Sequence, residues 1–239
     1  MLADLQVDIN VAIQEVQTAV STVLKSSTSV TLEQYEDHIN AVQAEYEPYL
    51  ERLQALKNGD CKNDAEFVLN RTTTNTGYRA SNCASEYDTR VKNQVDIATR
   101  ALVRFDDIYS QVQSIVVKAF IGQNAFLTPE EIKLRIIEIY DIVSGKWEDS
   151  KPEVEAIKRN LASGIAAQNV ELGNCHKVNL DYAKRYYEIF REDVNTCTIF
   201  DNTPNPFGMF AKSSKTRYVS RTAEIKAMFA NDVPYVWQS

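Results

Sequence analysis

Apolar side chains recur every three to five residues along most of the chain, which is the spacing that places them on one face of an α-helix. One such stripe opens the sequence, and longer ones run from Tyr78 to Ala119 and from Cys175 to Cys197. The chain has only seven Gly and six Pro, so turns are scarce and long elements are favoured. The pattern predicts an all-α protein. The first stripe consists of Leu5, Ile9, Ile13, Val16, Val20 and Val23.

Polar runs and helix-start signals divide these stripes into about six to eight predicted helices. Serine-rich and threonine-rich runs are poor helix formers, and a Ser or Thr followed by Glu or Gln three residues later is a helix-start signal. Pro48 predicts a kink, because proline lacks a backbone N–H. A last helix is predicted from Thr216 to Ala230. The expected breaks lie at Ser26–Thr31, Asn58-Gly59, Asn70–Gly77, Gly122–Asn124, Ser144-Gly145 and Ser150-Lys-Pro-Glu153.

The segment Gly122-Gln-Asn124 separates two similar parts of the sequence. Each part has two predicted helices followed by a helix that carries cysteines. After it, Thr128-Pro129-Glu-Glu131 combines a capping threonine, a proline at the first helical position and a glutamate that completes the capping box. We therefore expect a single helical domain over residues 1–239, an elongated bundle with halves at about 1–121 and 125–239.

The four cysteines form two pairs with equal spacing, because 22 residues separate Cys61 from Cys83 and also Cys175 from Cys197. In a continuous helix 22 residues span roughly 33 Å. A disulfide needs its Cα atoms about 4.4 to 6.8 Å apart. Cys175 and Cys197 therefore cannot pair within a continuous helix, which favours two disulfides that staple one segment to the other. The alternative is a hairpin at Asn70–Gly77 that pairs Cys61 with Cys83 and leaves two thiols.

Charge and composition exclude several classes of protein. The net charge of −7 argues against a general nucleic-acid binder, which needs a basic face. No run of about 18 apolar residues is present, so we expect no transmembrane segment. The start of the sequence lacks the features of a signal peptide. The disulfide argument nevertheless favours a secreted chain, and Asn70-Arg71-Thr72 is a candidate glycosylation site at Asn70.

Candidate catalytic chemistry is sparse. The sequence contains no nucleophile elbow, phosphate-binding loop or dinucleotide fingerprint. The paired carboxylates at Asp106-Asp107 and Glu130-Glu131 have ordinary explanations on a helix face and near a helix start. His38 follows Glu36 and Asp37 and is interpreted as a surface residue. We expect no enzyme, no metal site and no cofactor.

Two functions remain. The first is recognition of a macromolecule through long helical faces, for which a large exposed apolar patch would be the sign. The alternative is a carrier that holds an apolar small molecule or lipid in a cavity between helices. The candidate contacts for a ligand or partner are aromatic residues of the third stripe and of a following loop: Tyr182, Tyr186, Tyr187, Phe190, Phe207 and Phe210.

The two segments with a cysteine at each end, together with the following Phe200, resemble secreted insect proteins of the tsetse EP-protein domain type. The resemblance covers about half of the chain, and the Glu-Pro repeat tail of the tsetse protein is missing. It implies an extracellular insect protein that acts toward a host, a microbe or a parasite. It supplies no catalytic residue.

Overall fold

The described part of the chain folds into three long helices joined by short connections. The structure is a computed structural model that describes residues 1–57, 59–202 and 237. Its described residues form α1 (Leu2–Gln54), α2 (Asp60–Phe120) and α3 (Pro129–Asn202). The all-α prediction is confirmed, whereas the prediction of six to eight helices is wrong. The helix expected at Thr216–Ala230 lies outside the described residues.

The expected breaks at residues 58–59 and 122–124 do separate helices. Those at Ser26–Thr31 and Asn70–Gly77 fail, and there hydroxyl side chains bond within the helices instead of ending them. In α1 the hydroxyls of Ser27 and Thr28 both donate to the carbonyl of Leu24, at 3.0 and 2.9 Å. In α2 the Thr72 and Thr76 hydroxyls donate to carbonyls four residues earlier, both at 2.8 Å. A serine or threonine that bonds backwards in this way is compatible with a continuous helix. Neither polar run therefore interrupts its helix.

The proline signals have different outcomes in α3. Pro129 is its first residue, as predicted from Thr128-Pro129-Glu-Glu131. Pro152 lies inside the same helix instead of beginning another one. There the Ser150 hydroxyl donates to the carbonyl of Lys146 at 2.8 Å, so it does not act as the expected cap. Helix α3 is thus continuous through a segment where the sequence signals predicted the end of one helix and the start of the next.

The described chain separates into two compact units, and each unit contains segments of all three helices. The first consists of Met1–Val30 and Asp88–Asn169. In this unit α1 runs parallel to α3, since Asp8 bonds Trp147 and Lys151 whereas Glu15 bonds Lys158. Helices α2 and α3 are antiparallel and are joined by the turn after Phe120.

The core of the first unit is centred on Trp147, which is fully buried. Its ring meets the Phe105 ring edge to face, with centroids 5.8 Å apart. Its indole N–H donates to the Asp8 carboxylate at 2.9 Å. The Lys151 ammonium and this N–H together hold the pKa of Asp8 below its usual range. The predicted stripe of α1 is confirmed at Leu5, Ile9, Ile13 and Val16, which are all buried.

The second unit consists of Thr31–Tyr87 and Val170–Ser239. Its α1 segment runs parallel to α3, because Glu45 pairs with Lys184 and the Tyr49 ring packs on Phe190. Its α2 segment is antiparallel to α3. One disulfide, Cys83–Cys175, joins these two helices with Cα atoms 5.9 Å apart.

This bond excludes the local Cys61–Cys83 hairpin and confirms that the first cysteine-ended segment is stapled to the second. It is the one disulfide seen among the described side chains, whereas two were predicted. Cys61 is not a free thiol. The Cys197 side chain lies outside the described part of the chain, so the second predicted bond stays a prediction.

Candidate binding surface

Four of the six predicted contact residues lie inside the core of the second unit. Tyr186, Tyr187 and Phe190 are fully buried, and Tyr182 is 9% exposed. Burial raises the pKa of Tyr187, and its hydroxyl lies 3.3 Å from that of Thr73. These side chains fill the space between three helices and contact one another. Phe207 and Phe210 lie outside the described residues.

The Tyr182 side chain is held from α2 at both its hydroxyl and its ring. The Asn75 side-chain amide donates to the Tyr182 hydroxyl at 3.1 Å. The Arg79 guanidinium lies over the ring, 4.2 Å from its centroid, in cation–π geometry. A tyrosine fixed in this way packs the helices together and does not line an empty apolar cavity.

The second unit also has a small pocket beside its disulfide, with a volume of about 170 Å³. Ligand pockets for drug-sized molecules usually measure about 300 to 1,000 Å³. The pocket is therefore too small for a fatty acid. In addition to the cystine, it is lined by Arg79, Asn82, Glu86, Val178, Asn179 and Trp237.

The first unit has an open groove of about 640 Å³ between α1 and α3. Both apolar and polar side chains line it, including Val11, Gln14, Thr18 and Lys158. Lys158 bonds Glu15 across the groove at 3.0 Å. The groove has the volume of a ligand site, but it is open and does not enclose a cavity as a carrier for an apolar molecule would.

A pair of stacked histidines is buried in the second unit. His38 of α1 and His176 of α3 are each 5% exposed, and their rings stack with centroids 4.8 Å apart at 12°. The prediction that His38 lies on the surface is wrong, because α3 covers it. The charged residues that suggested exposure, Glu36 and Asp37, point to solvent.

Asn179 determines which nitrogen of His38 carries the proton. Its side-chain amide donates to the Thr76 carbonyl at 2.8 Å, and a carbonyl can only accept. The same nitrogen lies 2.9 Å from His38 Nε2, so Nε2 is the acceptor and the proton is on Nδ1. Burial first and the neighbouring His176 second lower the pKa of His38 to about 4.

Both histidines are thus neutral at physiological pH. Burial lowers the pKa of His176 as well, and the backbone of Gln34 partly offsets this. Neither ring nitrogen of His176 meets a hydrogen-bond partner at normal geometry among the described residues. In the described part of the chain, no carboxylate contributes to the pKa shift of either ring, as a catalytic partner would. We assign the pair to the packing of the three helices.

Within the described part of the chain, no three side chains of His, Cys, Asp or Glu come together as a metal site. No described helix combines the length and the apolar character that crossing a bilayer requires.

The clearest exposed feature is the turn between α2 and α3, residues 121–128. Phe126 is 96% exposed, Leu127 78% and Ile121 63%. We call these three side chains the turn patch. Gly122 adopts a φ of +74°, a conformation that side chains rarely tolerate, and so reverses the chain directly after Ile121.

Hydrogen bonds hold this turn in place. The Asn124 side-chain oxygen accepts from the amides of Phe126 and Leu127, at 3.0 and 3.3 Å. The Thr128 hydroxyl donates to Gln123 Oε1 at 3.0 Å and thus ties the end of the turn to its beginning. Arg135 of α3 donates to the Ile121 carbonyl at 3.1 Å. The turn patch is therefore presented by a bonded turn.

Apolar side chains of the adjoining helices also face solvent near the turn. The exposed fractions are 67% for Val117 and 44% for Phe120 at the end of α2, and 60% for Leu134 in the second turn of α3. Exposed apolar residues that occur singly need no explanation, whereas a group of them marks an interaction site.

The sequence predicted the turn but not the turn patch. The signal for the turn patch in the sequence is Ala125-Phe126-Leu127, an apolar run between the turn residue Asn124 and the helix start at Thr128. Apolar runs in a loop contradict the usual pattern unless they serve a function. Recognising it required knowing that Phe126 and Leu127 stay exposed in the folded chain, which is a tertiary fact.

Comparison of the chain with protein-family models, with characterised proteins and with solved structures finds no match.

Proposed function

We propose that this chain is a secreted, non-enzymatic binding protein that recognises a macromolecular surface through the turn patch. The observation that carries the proposal is the exposure of Phe126, Leu127 and Ile121 on a turn held by hydrogen bonds. A bonded turn loses little conformational freedom when it binds, so it is well suited to recognition. The helices hold the turn in position.

The carrier alternative receives less support. Tyr186, Tyr187 and Phe190 fill the core between the helices. The pocket of about 170 Å³ beside the disulfide is too small for a lipid chain, and the groove of about 640 Å³ between α1 and α3 is large enough but open to solvent. Uptake of a fluorescent fatty acid by the purified protein, at a fixed stoichiometry, would favour the carrier over surface recognition.

Secretion rests on the disulfide Cys83–Cys175, since such bonds persist in oxidising compartments. The resemblance to secreted insect proteins points the same way. Asn70 is exposed on α2, and we propose it as a glycosylation site.

The test compares the binding of labelled protein to intact cells and microbes for the wild type and for the double variant Phe126→Ser/Leu127→Ser. The matched control is Val103→Ser, because Val103 on α2 is 64% exposed, close to the value for Ile121. We expect the double variant to lose binding and the control to keep it. Equal binding by all three proteins would show that the turn patch is not the recognition surface.

A further inference from the structure

The turn patch has the chemistry of a membrane-inserting loop. Its three members are aliphatic or aromatic side chains without a polar atom, and two of them, Phe126 and Leu127, are adjacent. They project from a turn that joins two antiparallel helices, so they form a protrusion and not a groove. An apolar protrusion fits a soft apolar layer, whereas a groove would fit a helix of another protein.

The backbone of the turn uses many of its hydrogen-bonding groups internally. The amides of Gln123, Leu127 and Thr128 donate to carbonyls within residues 120–124, at 2.9 to 3.1 Å. The amide of Phe126 donates to the Asn124 side-chain oxygen, and Arg135 donates to the Ile121 carbonyl. A backbone that enters lipid must satisfy its polar groups within the protein, because lipid tails offer none.

The charge around the turn patch is complementary to anionic lipid. Residues 118–135 carry three basic and two acidic side chains, a formal charge of +1 in a chain of −7. The basic residues are Lys118, Lys133 and Arg135. Of the acidic ones, Glu130 pairs with Lys133 at 3.8 Å and Glu131 follows it in the first turn of α3. Basic side chains next to an inserted apolar segment contact lipid phosphates.

We propose that the turn patch inserts into the interfacial layer of an anionic lipid membrane, with Lys118, Lys133 and Arg135 at the level of the phosphates. The insertion is shallow, about 5 to 10 Å, as for other peripheral apolar elements. This inference rests on the proposed function, since it names the partner of the same surface.

The test measures partition of the full chain into protein-free vesicles of phosphatidylcholine, with and without phosphatidylserine, by co-sedimentation. We expect binding that is strengthened by phosphatidylserine and weakened by salt. Each apolar side chain removed in Phe126→Ser/Leu127→Ser should lower the partition coefficient at least about tenfold. Val103→Ser should leave it unchanged. Circular dichroism of each variant checks that the fold is retained.

A second measurement uses a gain of signal instead of a loss. In Phe126→Trp the new indole should shift its emission to shorter wavelength on vesicles that contain phosphatidylserine, relative to the wild type. Val103→Trp is the control and should show no vesicle-dependent shift. If wild type and double variant bind the vesicles equally, or if the Phe126→Trp emission does not move, the inference is overturned.

The two proposals can fail separately. Turn-dependent binding to cells, without binding to protein-free vesicles, would overturn the lipid partner and leave recognition by the turn patch standing. Binding to both that does not depend on the turn would overturn both proposals.

Discussion

Acidification should destabilise the protein through His38 and His176. Both rings are neutral and buried in the folded chain, and His38 has its pKa lowered from 6.5 to about 4. In the unfolded chain each histidine binds a proton with its ordinary pKa of 6.5. When the pH is below that pKa, the unfolded state therefore holds more protons than the folded state. The free energy of unfolding therefore falls as pH decreases, throughout the window between the two pKa values.

The magnitude follows from the width of that window. One pKa unit corresponds to about 1.4 kcal/mol, so His38 alone removes about 3 kcal/mol by the time its folded-state pKa is reached. His176 acts in the same direction, because burial also lowers its pKa. Among the described residues, His176 of α3 is the ionisable group whose charge lowers the pKa of His38. Tyr35 of α1 faces the His176 ring edge on, and α2 contributes the neutral Thr76 carbonyl.

Protonation also breaks a hydrogen bond. A proton on His38 Nε2 would face the Asn179 amide nitrogen, which is a donor. Rotating the amide does not help, since its oxygen would then face the Thr76 carbonyl. The folded state thus resists protonation through geometry as well as through burial.

The assay is urea unfolding, followed by circular dichroism, at several pH values between neutral and the folded-state pKa of His38. His38→Gln is the matched variant, because its amide oxygen can accept from Asn179 in place of Nε2 and does not titrate. We expect a pH slope shallower than that of the wild type by about 1.4 kcal/mol per pH unit. Equal slopes, or a His38 ring that titrates near 6.5 by NMR, would refute the reasoning.

Two further predictions concern the disulfides and the glycines. Peptide mapping without reduction should recover Cys61 bonded to Cys197. The helices are antiparallel, so the residue 22 positions before Cys83 is expected opposite the residue 22 positions after Cys175. A mapped peptide with Cys197 as a free thiol would contradict this register. Gly77→Ala should raise the free energy of unfolding by about 0.5 to 1 kcal/mol, because Gly77 lies inside α2 and an added Cβ meets nothing within 4 Å. Gly122→Ala is the control and should lower stability, because its φ of +74° suits glycine, and thermal unfolding of both variants checks the pair.

The apolar faces of the helices were predictable from sequence because burial in a helical bundle follows the helical period. Ile9 and Val16 of α1 and Phe105 and Ile115 of α2 are fully buried, as their stripes predict. The order of residues along the chain is enough to predict these faces, because spacing alone determines on which side of a helix a residue lies.

The number of helices was not predictable, because it depends on groups far apart in the chain. Thr73 is a poor helix former, yet its hydroxyl lies 3.3 Å from that of Tyr187, which is 114 residues away. Asn75 likewise bonds Tyr182 across 107 residues. Packing against α3 outweighs the weak propensity of this part of α2, and propensities are known to yield in this way. The burial of His38 has the same origin, since its partner Asn179 lies 141 residues away.

Two kinds of residue contradict the hydrophobic pattern, and their energetics differ. The buried His38 is compensated by its bond to Asn179 and by stacking on His176. No described contact compensates the exposure of Phe126 and Leu127. Burying the three side chains of the turn patch would release roughly 5 kcal/mol at about 2 kcal/mol each, scaled by their exposed fractions.

That free energy favours a partner by a factor of roughly 10³ to 10⁴. A single myristoyl chain gives a membrane affinity of about the same order, which is reversible. The turn patch alone should therefore bind weakly and release readily. Stable attachment would require the phosphate contacts of Lys118, Lys133 and Arg135 as well. The apolar turn and its basic neighbours thus support the proposal of a reversible contact at an anionic surface.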